Sequence, residues 1–263
     1  MTDRNYTCVA SAMQSSKKKP VQVGDTFTTN QGCKIKVIYY NNADDITIEF
    51  DDEHCYQTKV TACNLRRGNV RNPYFRSVYG VGFIGVGKFK IKKDGVKTIE
   101  YGVWSGMLER CYSHKRQEKR PTYKDCIVCD EWHNFQVFAE WYVNQTHYGK
   151  GYELEKDWLV NNNKIYSAET CVLAPSEINN ILVGSKASKN EYPLGVSFCS
   201  RFKRFKAAVS LNNKSTHLGY FDTPEQASQA YQKAKKEYME KVALEWKDRI
   251  DERLFNALMA KAS

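Results

Sequence analysis

Apolar and polar positions change rhythm several times along this chain. In residues 34–40 and 46–50 β-forming residues alternate or concentrate, with the polar run Asn41-Asn42-Ala43-Asp44-Asp45 between them. Residues 57–61 read as a third strand. Short strands joined by polar turns predict a small all-β barrel or curled sheet, and residues 21–97 are taken as this module with its connector. The basic run Asn64-Leu65-Arg66-Arg67-Gly68 closes it. Residues 1–20 are polar and read as a flexible basic tail ending in Lys17-Lys18-Lys19-Pro20. The Gly-rich stretch at residues 78–87 meets a G-x-G-x-x-G pattern only in part. Lys88 is followed by Phe89 rather than Ser or Thr, and no helical pattern follows, so a β-connector is expected in place of a phosphate loop.

From residue 98 the spacing turns helical. Val103, Trp104, Met107, Leu108 and Cys111 fall on one helix face, and Trp132, Phe135, Phe138, Ala139, Trp141 and Tyr142 repeat the pattern. A β-like segment around Leu154, an Asn161-Asn162-Asn163 turn, a strand over residues 170–173 and a helix from Pro175-Ser176 complete a middle module, residues 98–185. The last module, residues 192–263, predicts three strands near 195–198, 204–209 and 217–221. A helix then starts at Asp222-Thr223-Pro224-Glu225, with Asp or Thr as cap and Pro in the first turn, and a charged helical tail runs to Ser263. The expected class is α+β.

Charge sharpens the picture. Lys and Arg number 40 against 30 Asp and Glu, a net +10, which favours an anionic partner, most commonly nucleic acid. No apolar run is long enough for a membrane span, so no membrane partner is expected. Nine scattered cysteines without an export signal point to reduced thiols in a cytosolic compartment. In the last module Arg201, Lys203, Arg204 and Lys206 crowd the first two strands, with Lys214 and Thr216 beyond the next turn. Arg204 and Lys206 share a strand face opposite Phe205 and Ala207. A strand pair carrying such residues suits the major groove, where Arg pairs with guanine and Lys neutralises phosphate. A solvated basic face is the plain alternative.

The segment Tyr192-Pro193-Leu194-Gly195-Val196, the basic strand, Leu218-Gly219-Tyr220-Phe221-Asp222-Thr223-Pro224-Glu225-Gln226-Ala227 and Ala230-Tyr231 resemble the Apetala-2 (ethylene-response-factor) DNA-binding fold, over residues 192–240. The resemblance implies a three-stranded sheet on duplex DNA, backed by one helix. Leu194 stands where that family carries Arg, and Phe205 where it carries Trp, so its base preference does not transfer.

In the middle module, Trp104-Ser105-Gly106-Met107-Leu108-Glu109-Arg110-Cys111-Tyr112, Val128-Cys129-Asp130-Glu131-Trp132, Leu154-Glu155-Lys156-Asp157, Tyr166-Ser167-Ala168-Glu169-Thr170-Cys171 and Asn179-Asn180 resemble the HNH homing endonucleases of bacteriophages. That resemblance implies a ββα core holding one divalent metal, Mg²⁺ or Mn²⁺, through Glu155, Asp157 and Asn179. The strand motif should read acidic-His, but here reads Glu155-Lys156-Asp157, and no His lies between His147 and His217. Lys156, Asp157 and His147 are therefore the catalytic candidates. Lys156 is a poor base near neutral pH unless its pKa is strongly lowered. Arg66 and Arg67 join the last module's basic residues as DNA-contact candidates. Cys126 and Cys129 form a CxxC with Cys111 and Cys171 standing alone, and His114 or His133 nearby; lacking a second close pair, the set is expected to hold buried thiols rather than zinc. Double-stranded DNA is thus the expected partner, RNA the weaker one, in the bacterial cytoplasm or nucleoid. Metal-dependent nicking and a non-cleaving regulator both remain open.

Overall fold

The computed structural model describes residues 19–182, 191–211 and 214–263, so residues 1–18 of the expected tail lie outside it. The chain mixes helix and sheet in the α+β manner. The described residues form two compact units that part between Phe75 and Arg76.

In the first unit, β1 (Thr26–Thr28), β2 (Lys34–Asn42), β3 (Asp45–Phe50) and β4 (Gln57–Val60) form one antiparallel sheet in that order, followed by α1 (Ala62–Arg66). Alternation supplies the core. Ile35 and Val37 of β2 and Ile46, Ile48 and Phe50 of β3 are buried, and Leu65 of α1 covers them. Thr61 caps α1 by accepting from the Asn64 amide at 3.3 Å. The expected barrel is corrected here to an open sheet. Pairing runs from β1 to β4 and does not return to β1, because edge strands of three and four residues are too short to curl the sheet shut.

The second unit opens with the glycine-rich segment. Its backbone lies against the residues before the aromatic helix: the Phe83 amide donates to His133 O and the Phe135 amide to Phe83 O, both at 2.9 Å. A Cβ on Gly82 would come within 2.4 Å of Leu108 Cδ1, so this glycine serves close packing and not phosphate binding. A hairpin of β5 (Lys92–Lys93) and β6 (Val96–Lys97) leads into α2 (Ile99–Tyr112) and α3 (His114–Lys119). Next come β7 (Ile127–Val128), α4 (Phe135–Val143), β8 (Glu153–Glu155), β9 (Ile165–Tyr166), β10 (Val172–Ala174) and α5 (Ser176–Leu182). Trp104, Met107 and Leu108 of α2 pack on Trp132, Phe135 and Phe138, the aromatic stripe acting as core. The buried Trp104 indole donates to Trp132 O at 2.7 Å.

Then β11 (Val196–Cys199), β12 (Arg204–Leu211) and β13 (Lys214–Phe221) make an antiparallel sheet backed by α6 (Pro224–Trp246). Gly195 takes φ +78, and a Cβ there would fall 2.1 Å from Tyr231 Cδ2, so the helix seats directly on this glycine. Thr223 caps α6, with Pro224 in its first turn. The expected charged helical tail comprises the far half of α6, a turn, and α7 (Glu252–Ala262), which joins a core rather than standing free. Met239, Val242, Leu254 and Leu258 share one core with Trp158, Val172 and Ile178. No helix among the described residues is long and apolar enough to cross a membrane.

Candidate functional site

Strand β8 pairs antiparallel with β10, setting Glu155 opposite Val172 and Glu153 opposite Ala174, and α5 follows two residues later. Leu154 enters the core, so Glu153 and Glu155 share the other face. One turn into α5, buried Asn179 meets both: its Nδ2 donates to Glu153 Oε2 at 2.8 Å and to Glu155 Oε1 at 3.3 Å. Ser176 Oγ donates to Glu153 Oε1 at 3.1 Å. Asn179 Oδ1 is buried with no donor facing it. Burial, then repulsion from Asp157, pushes the Glu155 carboxyl up to about 7, against the pull of Arg110. Arg110 is itself bonded to the Tyr166 hydroxyl at 3.2 Å.

Glu153, Glu155 and Asn179 are the residues here that could hold a hard divalent cation through oxygen atoms. Among the described residues no three His, Cys, Asp or Glu side chains converge, so the set is complete only with the Asn179 amide. Asn179 Oδ1 lacks a donor, and exchanging the two amide atoms would turn Glu153, Glu155 and Asn179 into an all-oxygen donor set. Glu153 was not among the residues expected from the sequence; its signal is its i, i+2 relation to Glu155 on a strand.

The other expected catalytic residues sit differently. Lys156 is buried, and its ammonium donates to Asn163 O at 2.8 Å and to the Asp157 carboxylate. Asn163 Nδ2 returns a bond to Lys156 O at 2.9 Å, so the pair clamps the Asn-rich turn. The lysine is a fastener here, its ammonium held between the Asn163 carbonyl and the Asp157 carboxylate. Asp157 is half exposed in that pair. His147 is buried against Tyr152, ring centroids 5.3 Å apart, and neither ring nitrogen has a partner. Burial pushes the Cys111 and Cys171 thiols up to about 12 and Cys129 to about 11, so in the metal-free chain they are protonated, unreactive thiols.

The C-terminal sheet presents a second cluster. Cross-strand partners share a face. Ser197, Lys206 and Tyr220 line up across the three strands, and Cys199 faces Arg204, while Phe205, Ala207 and Val209 turn toward α6. Arg201 and Lys203 lie in the β11–β12 turn, Lys203 at φ +51. A register shift at Ala207/Ala208 changes the phase of β13. His217 then faces Ala208 on the outer side, while Thr216 faces Val209 and Lys214 faces Leu211 on the helix side. Of the expected contacts, Arg204 and Lys206 lie on the outer face, whereas Thr216 and Lys214 do not.

Three aromatic rings that sequence reasoning missed complete the outer face. Phe202 and Tyr220 lie with centroids 4.8 Å apart, and His217 and Tyr220 4.7 Å apart. Phe202 is 50% and Tyr220 37% exposed, too open for core residues. Arg201 lies over the Phe202 ring at 5.4 Å, and Arg204 pairs with Asp222 at 2.9 Å on the exposed surface, which restrains the side chain without committing it. The signal was present in Arg201-Phe202-Lys203-Arg204, an aromatic set between cations in a turn. Arg66 and Arg67 belong to the first unit, exposed at the end of α1, with Arg66 donating to Lys19 O at 2.7 Å. No family model, curated protein or solved structure matches this chain.

Proposed function

We propose that the chain binds duplex DNA through the outer face of β11–β13 and nicks it at the Glu153–Glu155–Asn179 cluster with Mg²⁺ or Mn²⁺, in the manner of the phage HNH homing endonucleases its sequence resembles. The observation that carries the reading is the exposed row Phe202, Tyr220 and His217 set among Arg201, Arg204 and Lys206 on a helix-backed sheet. Such a face suits the major groove: arginine pairs with guanine edges, lysine neutralises phosphate, and apolar rings meet thymine methyls. A cation held by Glu153, Glu155 and Asn179 would supply charge neutralisation at a phosphate and a more acidic bound water. The Glu155 carboxyl exchanges its proton near pH 7, so proton and cation compete for the same oxygens.

Incubation with supercoiled plasmid and either cation is expected to give nicked circles, more at pH 8 than at pH 6. Glu155→Gln and Asn179→Ala are expected to lose nicking and keep duplex binding in a gel shift. Binding without nicking under any divalent cation assigns the chain to the second reading, a non-cleaving DNA-binding regulator. That reading is favoured by Lys156, which stands where the resemblance requires histidine and is buried in a structural clamp. Absence of duplex binding at low salt overturns both.

A further inference from the structure

Between the glycine-rich segment and α2, residues 88–97 carry five lysines against one aspartate. Residues 90–97 are exposed without exception. They form the β5–β6 ribbon, turned through Asp94 at φ +51 and Gly95 at φ +78. Two consecutive left-handed residues make the turn whose twist matches a hairpin's. A free two-stranded ribbon is marginal in water, yet this one is held at its base. Gln136 accepts from the Phe89 amide at 2.9 Å and donates to Phe89 O at 3.0 Å, while Thr98 Oγ1 donates to Lys90 O at 2.9 Å. Lys88 pairs with Glu140 at 2.8 Å, outside the ribbon proper.

Beyond that base the charges have no carboxylate partner among the described residues, and Lys97 meets only the Tyr101 ring, at 5.9 Å. Lys92 and Lys97 are direct cross-strand partners, and like charges directly opposite destabilise a ribbon. No acidic side chain among the described residues forms an ion pair with Lys90, Lys92, Lys93 or Lys97. Val96 at the tip is 70% exposed, so the ribbon has no core of its own to account for it. A fixed base, a protruding two-stranded shape and a concentrated positive charge complement a polyanion with grooves.

We infer that the β5–β6 ribbon is a second DNA-gripping element, contacting backbone phosphates of a duplex through Lys92 and Lys97, which share one face, and Lys90 at its base. The inference rests on the DNA-binding reading above and extends it from the C-terminal sheet to a part of the chain that the sequence presents only as a connector. Lysine contacts of this kind add affinity without base preference and make binding salt-dependent.

The test uses the full chain, a 30-base-pair duplex of arbitrary sequence, and affinity measured across a salt series. Lys90, Lys92 and Lys97 changed together to Gln are expected to weaken binding about tenfold or more and to flatten the log–log salt slope by roughly 2–3, near 0.9 for each phosphate no longer neutralised. The same three changed to Arg should keep the slope, a result that separates charge from shape. All three are exposed, and an unchanged thermal midpoint confirms that folding is intact. If the Gln variant keeps the wild-type slope, the ribbon inference falls while the sheet reading stands. If Arg204→Ala with Tyr220→Ala leaves binding intact and the ribbon variant abolishes it, the inference stands and the sheet reading falls. No duplex binding by the unaltered chain at low salt overturns both, and tighter binding to single-stranded RNA of equal length than to the duplex overturns the ribbon's assignment to duplex DNA.

Discussion

Glu155 is the residue whose surroundings most alter its chemistry. An acid of ordinary pKa 4.5 is raised to about 7, chiefly because burial penalises its charge. The sign follows from linkage: between those values the folded chain holds a proton that the unfolded chain has released, so stability is full below the unfolded pKa and is lost as pH rises through about 7. The shift corresponds to a loss on the order of 3 kcal/mol. In chelator, urea denaturation between pH 5 and 8 is therefore expected to show stability falling with pH, and Glu155→Gln to remove most of that fall. A wild-type curve flat across the range, or a variant with the same slope, contradicts the burial argument. Added Mg²⁺ should raise stability at pH 8 in the wild type only, because a cation favours the ionised carboxylate. Glu155 and Asn179 are marked in the sequence by the resemblance to the HNH endonucleases, and the chain brings them within 3.3 Å of each other because β8 and the start of α5 flank the same strand, β10. The duty of Lys156 was not legible. Its burial depends on Asn163, a turn residue that approaches it only when the chain closes back on itself.

At the scale of the element, the C-terminal sheet depends on how alternation is counted. Phe205, Ala207 and Val209 turn to the helix, and Arg204 and Lys206 turn away, as strict alternation along β12 requires. The register shift opposite Ala207/Ala208 inserts Leu218 as an extra residue in β13, and everything before it changes face. A bulge is fixed by pairing with another strand, so one strand's pattern could not reveal that Thr216 and His217 had exchanged sides. The consequence is measurable. Phe202→Ala and Tyr220→Ala are each expected to weaken duplex binding by about 1–2 kcal/mol, roughly five- to thirtyfold, because the apolar packing in the groove is removed. Thr216→Ala should leave affinity within twofold. The opposite ranking in a fluorescence-anisotropy titration would assign DNA to the wrong face of the sheet.

For the second unit as a whole, the sequence draws a border near residues 185–192 that the core does not respect. The sequence marks the stretch to Ser263 only as a charged helical tail, with no partner assigned to it. Yet Met239, Val242, Leu254 and Leu258 keep helical spacing and bury themselves against Trp158, Val172 and Ile178. Polar ties follow the same seam: the Trp246 indole donates to Glu177 at 3.2 Å, Arg253 to Ala168 O at 3.2 Å, and the Tyr152 hydroxyl to Arg249 O at 3.1 Å. The strand and helix that position Glu155 and Asn179 are thus backed by the chain's last two helices. Leu254 is fully buried there, so Leu254→Ala is expected to cost about 2–5 kcal/mol. Because Val172 and Ile178 lie in the same core, amide hydrogen exchange should quicken in β10 and α5 as well as in α6 and α7. If the modules were energetically separate, the loss of protection would stop at the C-terminal helices and leave β10 and α5 as slow as before. Cation-dependent stabilisation should weaken in the same variant, although Leu254 is not itself a candidate ligand, because the core beneath Asn179 would no longer hold α5 against β8.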